Sequence, residues 1–129
     1  MIRLVLVDDQ PGVRQGLRMV LTLEPDMAVV AEGSTGREAV TLVQRLAPDV
    51  VLMDVEMPEM DGISATAMIR ANTPQSAVVM LSIHDDGATR ARAHAAGAVA
   101  FVNKNGAIEA LVAAIREAVE QRRTETGSP

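Results

Sequence analysis

The chain has 129 residues, 48% hydrophobic and 22% charged, which is the composition of an ordinary globular domain. It contains no cysteine, which excludes disulfides, thiolate metal sites and thiol catalysis. A net charge of −5 and a single aromatic residue, Phe101, argue against direct nucleic-acid binding by this segment. The apolar runs are too short to cross a membrane, and the opening MIRLVLVDD does not resemble a signal peptide. We therefore expect no membrane association and a cytoplasmic location.

Five short apolar runs alternate with segments of helical spacing. Unbroken apolar runs are typical of strands that are covered on both faces, as in a parallel sheet. The predicted strands are residues 4–7, 27–31, 50–53, 77–81 and 98–102. The alternation predicts an α/β fold, a single doubly wound sheet in a three-layer sandwich.

Several signals mark the predicted helices. Pro11 stands near a first helical position, and Thr35 followed by Glu38 forms a capping box. The third helix carries an apolar set of Ile63, Ala67 and Met68. The fourth, about residues 85–96, is rich in alanine without a large aliphatic side chain, and Asp85 and Asp86 are expected to cap it. We assign residues 1–120 to one domain and residues 121–129 to a polar tail or linker.

Chemically reactive side chains follow four of the predicted strands. Asp8 and Asp9 follow the first strand, Asp54 the third and Ser82 the fourth, while Lys104 lies beyond the fifth. Lys104 is the only lysine beside eleven arginines, so an ammonium at this position is notable. With a sheet order of 2-1-3-4-5, these groups converge on one edge, where ligands of open α/β sheets bind.

Three carboxylates so close together repel each other unless a cation lies among them. Mg²⁺, which prefers carboxylate and carbonyl oxygens, suits such a set. A carboxylate can act as the nucleophile toward a phosphoryl group, while a metal ion and an ammonium neutralise the charge on its oxygens. Taken singly, each residue has a structural explanation, such as a helix cap or a solvated charge. Their joint occurrence at neighbouring strand ends favours the phosphoacceptor interpretation.

On these residues, and on the run from Asp54 to Gly62 (DVEMPEMDG), the chain resembles the receiver domain of bacterial two-component response regulators. The resemblance covers about residues 2–120. The segments IRLVLVDDQPGVRQGLRMVL and AGAVAFVNKNGAIEALVAAIR are most similar to the NarL/LuxR-type subfamily. The resemblance implies a flavodoxin-like receiver fold and a phosphorylation-activated switch rather than a turnover enzyme.

The resemblance also implies a role for each site residue. Asp54 would be the phosphoacceptor. Asp8, Asp9 and the main-chain carbonyl of Glu56 would complete the Mg²⁺ site, with Mn²⁺ as a possible substitute. Lys104 and Ser82 would contact the phosphoryl oxygens, and Phe101 would change rotamer on activation. Glu56 and His84, each two residues beyond Asp54 or Ser82, would flank the path of the hydrolytic water.

The implied partners are a sensor histidine kinase, a C-terminal helix-turn-helix effector domain in a full-length protein, and a second copy in a phosphorylation-dependent homodimer. One departure is Asn105, where the family commonly has a proline after the lysine. A cis peptide bond without proline would cost about 2.5–4 kcal/mol. The alternatives are a stand-alone receiver and a non-phosphorylated binding module on the same fold. A haloacid-dehalogenase-type phosphatase would need an Asp-x-Asp pair after the first strand. A flavodoxin-like electron carrier would need a phosphate loop and an aromatic residue for its flavin.

Overall fold

The computed structural model describes residues 1–84 and 86–126, with side chains described through residue 122. Five strands alternate with five helices. The strands are β1 (Ile2–Val7), β2 (Met27–Gly33), β3 (Val50–Asp54), β4 (Ala77–Ser82) and β5 (Ala100–Asn103). The helices are α1 (Pro11–Leu21), α2 (Gly36–Leu46), α3 (Gly62–Asn72), α4 (Gly87–Ala96) and α5 (Ile108–Thr126).

The strands form one parallel sheet in the order β2-β1-β3-β4-β5, which confirms the predicted fold class and strand order. Because all strands point the same way, their carboxyl ends meet at one edge. All five residues of β3 and all six of β4 are buried, as expected for strands covered on both faces.

Alternate residues of the strands enter two apolar layers, one on each side of the sheet. The layer under α2, α3 and α4 contains Val5, Val7, Val51, Met53, Val78 and Met80. The layer under α1 and α5 contains Leu4, Leu6, Val50, Leu52, Val79 and Leu81. The period of two therefore divides each strand between the two cores.

The helix starts largely follow the predicted signals. Pro11 is the first residue of α1, and the Thr35 hydroxyl accepts the main-chain N–H of Glu38 at 3.1 Å. The carboxylate of Glu38 accepts a hydrogen bond from the Ser34 hydroxyl at 2.7 Å. The Asp86 carboxylate accepts the N–H of Thr89 at 2.7 Å, which confirms it as the cap of α4. Asp85, the other predicted capping residue, lies outside the described residues.

Strand β5 begins two residues later than predicted. The chain leaves α4 through Gly97, whose φ is 110°, and the N–H of Ala98 donates to the carbonyl of Ala93 at 3.0 Å. This pattern is a Schellman-type helix end, which favours glycine at the left-handed position. The helix cap therefore occupies residues that composition alone assigns to the strand.

The predicted apolar set of α3 is wrong at two of its three positions. Ile63 is buried, but Ala67 and Met68 are exposed. The buried face is completed instead by Ala65, Thr66 and Ile69. Thr66 tolerates burial because its hydroxyl donates to the carbonyl of Gly62 at 2.7 Å.

Helix α5 extends to Thr126, beyond the predicted domain end at residue 120. The predicted division at that residue stays a prediction, and residues 127–129 of the proposed tail lie outside the described residues. Within the part of the chain that the structure describes, no helix has both the length and the apolar character needed to cross a bilayer.

Gly62 tests the packing behind Asp54, and Gly16 on α1 provides a matched control. A Cβ on Gly62 would overlap the carbonyl oxygen of Asp54, whereas a Cβ on Gly16 of α1 would meet no atom within 4 Å. We expect Gly62→Ala to lower the free energy of unfolding by about 1–3 kcal/mol through overpacking. Gly16→Ala is expected to raise it by about 0.5–1 kcal/mol through its better helix propensity. Urea unfolding followed by circular dichroism measures both, and equal effects would contradict this packing.

Candidate functional site

The acidic residues after β1 and at the end of β3 meet at the carboxyl edge of the sheet. One carboxylate oxygen from each of Asp8, Asp9 and Asp54 lies within 4.8 Å of the other two. The pairing of β1 with β3, in which Val7 lies opposite Met53, produces this approach. Asp8 and Asp54 are buried, while Asp9 is exposed.

Lys104 joins this cluster from the loop that follows β5, the last strand in the sheet order. Its Nζ lies 2.6 Å from Oδ2 of Asp8 and 3.0 Å from Oδ1 of Asp54. Its main-chain N–H donates to the carbonyl of Ser82 at 3.0 Å, at the end of β4. The structure therefore brings together the five predicted side chains: Asp8, Asp9, Asp54, Ser82 and Lys104.

The electrostatics of this cluster follow from burial and pairing. Burial raises the pKa of the Asp54 carboxyl, repulsion from Asp8 adds to this rise, and Lys104 opposes it. Burial lowers the pKa of Lys104, but its hydrogen bonds to Asp8 and Asp54 outweigh this effect and hold the pKa above its usual value. The ammonium is therefore protonated at neutral pH.

These groups line a cleft of about 850 Å³ between the loops that follow β1, β3, β4 and β5. Its wall includes Asp9, Asp54, Ser82 and Lys104, together with Arg92 from α4. The donor set fits Mg²⁺, because clustered carboxylate oxygens are the ligands this ion prefers and the exposed Asp9 leaves room for the waters it keeps. Asp8, Asp9 and Asp54 would hold the ion, and the carbonyl of Glu56 stays a predicted ligand.

The two predicted hydrolysis modulators contact each other, and one of them, Glu56, lines the cleft. Nε2 of His84 lies 2.7 Å from Oε1 of Glu56, and both side chains are more than half exposed. The main-chain N–H of His84 donates to the hydroxyl of Ser82 at 2.9 Å. This pair links the loop after β3 to the loop after β4.

Phe101 lies further from the cleft, on β5 beneath α4. Its side chain is half-buried and packs against the core layer under α2, α3 and α4. The guanidinium of Arg90 covers the ring, 4.8 Å from its centroid. This cation–π contact joins α4 to β5.

Two features of the site were missed in the sequence. The first is Arg14, whose guanidinium donates to the carbonyl of Asp8 at 2.5 Å and pairs with Glu32.

The second is a turn after β5 that carries Lys104. The Asn103 side chain accepts the N–H of Asn105 at 2.8 Å. Asparagine at the first position of a turn and glycine at the fourth is a known turn signature, and residues 103–106 read NKNG. The Lys104–Asn105 peptide is trans.

A family model described as "Response regulator receiver domain" matches residues 4–116. The chain is 37% identical over 115 residues to the transcriptional regulatory protein DegU from Brevibacillus brevis, covering 89% of this chain and 49% of DegU. It is 41% identical over 106 residues to protein-glutamate methylesterase/protein-glutamine glutaminase 2 from Methanospirillum hungatei JF-1, covering 81% of this chain and 30% of that protein. The chain thus spans about half or less of these two relatives.

Among solved structures, a DNA-binding response regulator of the LuxR family from Staphylococcus aureus matches with a TM-score of 0.86 and 28% identity, covering 92% of this chain and 99% of that one. The fold and the matching family model together define a receiver-type module. The chain belongs to the response regulator receiver domain family, and its homologues include regulators of the NarL/LuxR type. This confirms the resemblance stated from the sequence.

Proposed function

We propose that this chain is a phosphorylation-activated switch in which Asp54 accepts a phosphoryl group from a sensor histidine kinase or a small phosphodonor. The observation that carries the proposal is the Lys104 ammonium, which lies within 3.0 Å of both Asp8 and Asp54. A structural ion pair needs one carboxylate, whereas three carboxylates with one ammonium leave room for a divalent cation and an anionic group.

In the reaction, an Asp54 carboxylate oxygen attacks phosphorus, the bond from phosphorus to the donor nitrogen or oxygen breaks, and an acyl phosphate forms. Lys104 binds one phosphoryl oxygen, and the Ser82 hydroxyl donates a hydrogen bond to another. Mg²⁺ or Mn²⁺, bound by Asp8, Asp9, Asp54 and the carbonyl of Glu56, would neutralise charge on the transferring group. The chain acts on itself once per cycle and is not a turnover enzyme.

The Glu56–His84 pair stands where water must approach the phosphoryl group. Its two side chains are 2.7 Å apart and more than half exposed, and Glu56 lines the cleft. A carboxylate there orients the attacking water, and the imidazole takes its proton. Attack on phosphorus breaks the bond to Asp54 and releases inorganic phosphate, which resets the switch.

Phosphorylation reaches the surface through Ser82 and Phe101. Drawing the Ser82 hydroxyl toward a phosphoryl oxygen competes with the hydrogen bond that it accepts from the N–H of His84. The segment leading into α4 then shifts, and only Ala93 of α4 is buried. Because Phe101 lies under Arg90 of this helix, its ring moves with it. The switch surface comprises α4, β5 and α5.

The output we propose is control of transcription. The relative DegU is a transcriptional regulatory protein about twice as long as this chain's match to it. A helix-turn-helix effector following α5 in a full-length protein, and a homodimer formed on phosphorylation, would deliver that output from the cytoplasm. The segment itself has a net charge of −5 and would not contact DNA. A stand-alone receiver that acts through protein contacts is the second candidate, favoured by the exposed Ile83 beside the cleft.

The first prediction concerns the phosphoacceptor. Incubation with acetyl phosphate and Mg²⁺ is expected to add the mass of one phosphoryl group, measured on the intact protein. Asp54→Ala should abolish this gain, because Asp54 is the carboxylate that ends β3, the middle strand of the sheet, beside Lys104. Asp61→Asn, in the same cleft, should keep it. Phosphorylation of Asp54→Ala to the same extent would show that another acid accepts the phosphoryl group. No mass gain in the wild type would instead support the non-phosphorylated binding module.

The second prediction concerns the lifetime of the phosphoprotein. Replacing Glu56 and His84 together with alanine is expected to slow its decay by about 100-fold, the lower end of what positioned acid–base groups contribute. Release of inorganic phosphate from purified phosphoprotein measures the rate. His94→Ala, the other histidine and exposed on α4, is the control and should leave it unchanged. An unaltered decay rate in the double variant would refute the role of the pair.

The third prediction concerns the switch surface. Addition of beryllofluoride with Mg²⁺, which mimics the phosphoryl group, is expected to shift backbone amide resonances around Phe101 and along α4. Asp54→Ala should show none of these shifts. Shifts confined to the ends of β1 and β3 would argue against this switch and leave the phosphoacceptor assignment in place.

A further inference from the structure

The position of the Lys104 ammonium depends on a main-chain turn that the proposed chemistry leaves unexplained. Lysine has a flexible four-carbon stem, so its main-chain attachment decides where the charge can lie. Here the ammonium contacts two carboxylates from different strands, at 2.6 and 3.0 Å. A displacement of about 1 Å at a catalytic group lowers reaction rates substantially. The attachment point must therefore be held firmly.

Three hydrogen bonds hold this attachment point. On one side, the N–H of Lys104 donates to the carbonyl of Ser82 at 3.0 Å. On the other, the Asn103 carbonyl accepts the N–H of Gly106 at 3.0 Å, and the Asn103 side-chain oxygen accepts the N–H of Asn105 at 2.8 Å. Together these bonds close a turn whose central residues are Lys104 and Asn105.

Of these bonds, only the one from Asn105 to the Asn103 side chain depends on the identity of a side chain. Asparagine mimics a backbone turn by accepting the N–H two residues ahead, which few other residues do. Gly106 lets the chain close tightly, since a Cβ there would approach the carbonyl oxygen of Asn103 to 3.2 Å. Asn103 itself makes no hydrogen bond to Asp8 or Asp54 among the described residues. The hydrogen bond of its side chain acts on the turn that carries Lys104.

We propose that Asn103 is a positioning residue that aims the Lys104 ammonium at the acidic cluster by closing the turn after β5. This inference rests on the proposed role of Lys104 in binding the phosphoryl group. It adds a residue that holds the ammonium without touching the reacting atoms.

The test compares two affinities in four proteins: wild type, Asn103→Ala, Lys104→Ala and the double variant. Beryllofluoride affinity at saturating Mg²⁺ reports phosphoryl binding, and Mg²⁺ affinity alone, from titration calorimetry, reports the carboxylates. The ammonium and Mg²⁺ compete for oxygens of Asp8 and Asp54, so loss of a well-placed ammonium should affect the two affinities in opposite directions. A general distortion of the site would lower both.

Asn103→Ala is expected to lower beryllofluoride affinity by about fivefold, the fold-change of one ordinary hydrogen bond. It should raise Mg²⁺ affinity by a smaller factor. Lys104→Ala should change both affinities in the same directions by more, about 10-fold or above for beryllofluoride, because it removes a charged partner. In the double variant, both affinities should equal those of Lys104→Ala alone. Such non-additivity shows that the two residues act as one unit.

Three results would overturn the proposal. In the first, both affinities of Asn103→Ala equal those of wild type. In the second, Asn103→Ala lowers both affinities together. In the third, Asn103→Ala has the same effect in the Lys104→Ala background as in wild type. If Lys104→Ala itself left beryllofluoride affinity unchanged, the proposed role of the lysine would fail first, which separates the two failures. Asn72→Ala, on the exposed last residue of α3, is the control and should match wild type. Should Asn103→Ala not fold, Asn103→Ser keeps a weaker acceptor for the turn and should show the same opposed changes at smaller size.

Discussion

The ion pairs of Lys104 with Asp8 and Asp54 are the interaction on which the rest of this structure depends. Two carboxylates buried side by side are unfavourable unless a cation compensates them, and removing one member of a buried charge cluster is strongly destabilising. The cation comes from a residue 96 positions away in the sequence from Asp8. The ends of the first, third and fifth strands must therefore stand in one arrangement for the cluster to exist.

That arrangement requires a rigid centre and permits a loose edge. β3 and β4 are buried throughout, and the layers on both sides of the sheet share their side chains. α4, by contrast, buries only Ala93 and is held to β5 by the contact of Arg90 with Phe101. A change of charge at the carboxyl edge of the sheet is therefore best transmitted to α4, the helix that has the least packing to lose.

The distribution of basic residues serves different purposes at the centre and on the surface. Arginine forms the surface pairs, such as Arg116 with Asp26 and Arg18 with Glu32, which are exposed to solvent and contribute little to stability individually. Lysine stands only at the acidic cluster, where a compact ammonium can approach two carboxylates at once. The guanidinium of Arg14 approaches the same region from the side, at the carbonyl of Asp8 rather than its carboxylate.

The sequence by itself determined the fold class, the strand order through the family resemblance, and the five polar residues at the strand ends. Apolar runs, helix caps and strand-end residues are local signals, and most of them survive in the described residues because the local preference agrees with the overall fold. Only the tertiary structure decided that Ala98 belongs to a helix cap and that Thr66 rather than Met68 faces the core. It alone brought Glu56 to His84, set Arg90 over Phe101 and closed the turn from Asn103 to Gly106 behind the lysine. These contacts depend on the relative placement of loops and helices, which local periodicity does not specify, because distant side chains and main-chain hydrogen bonds set the register of each element.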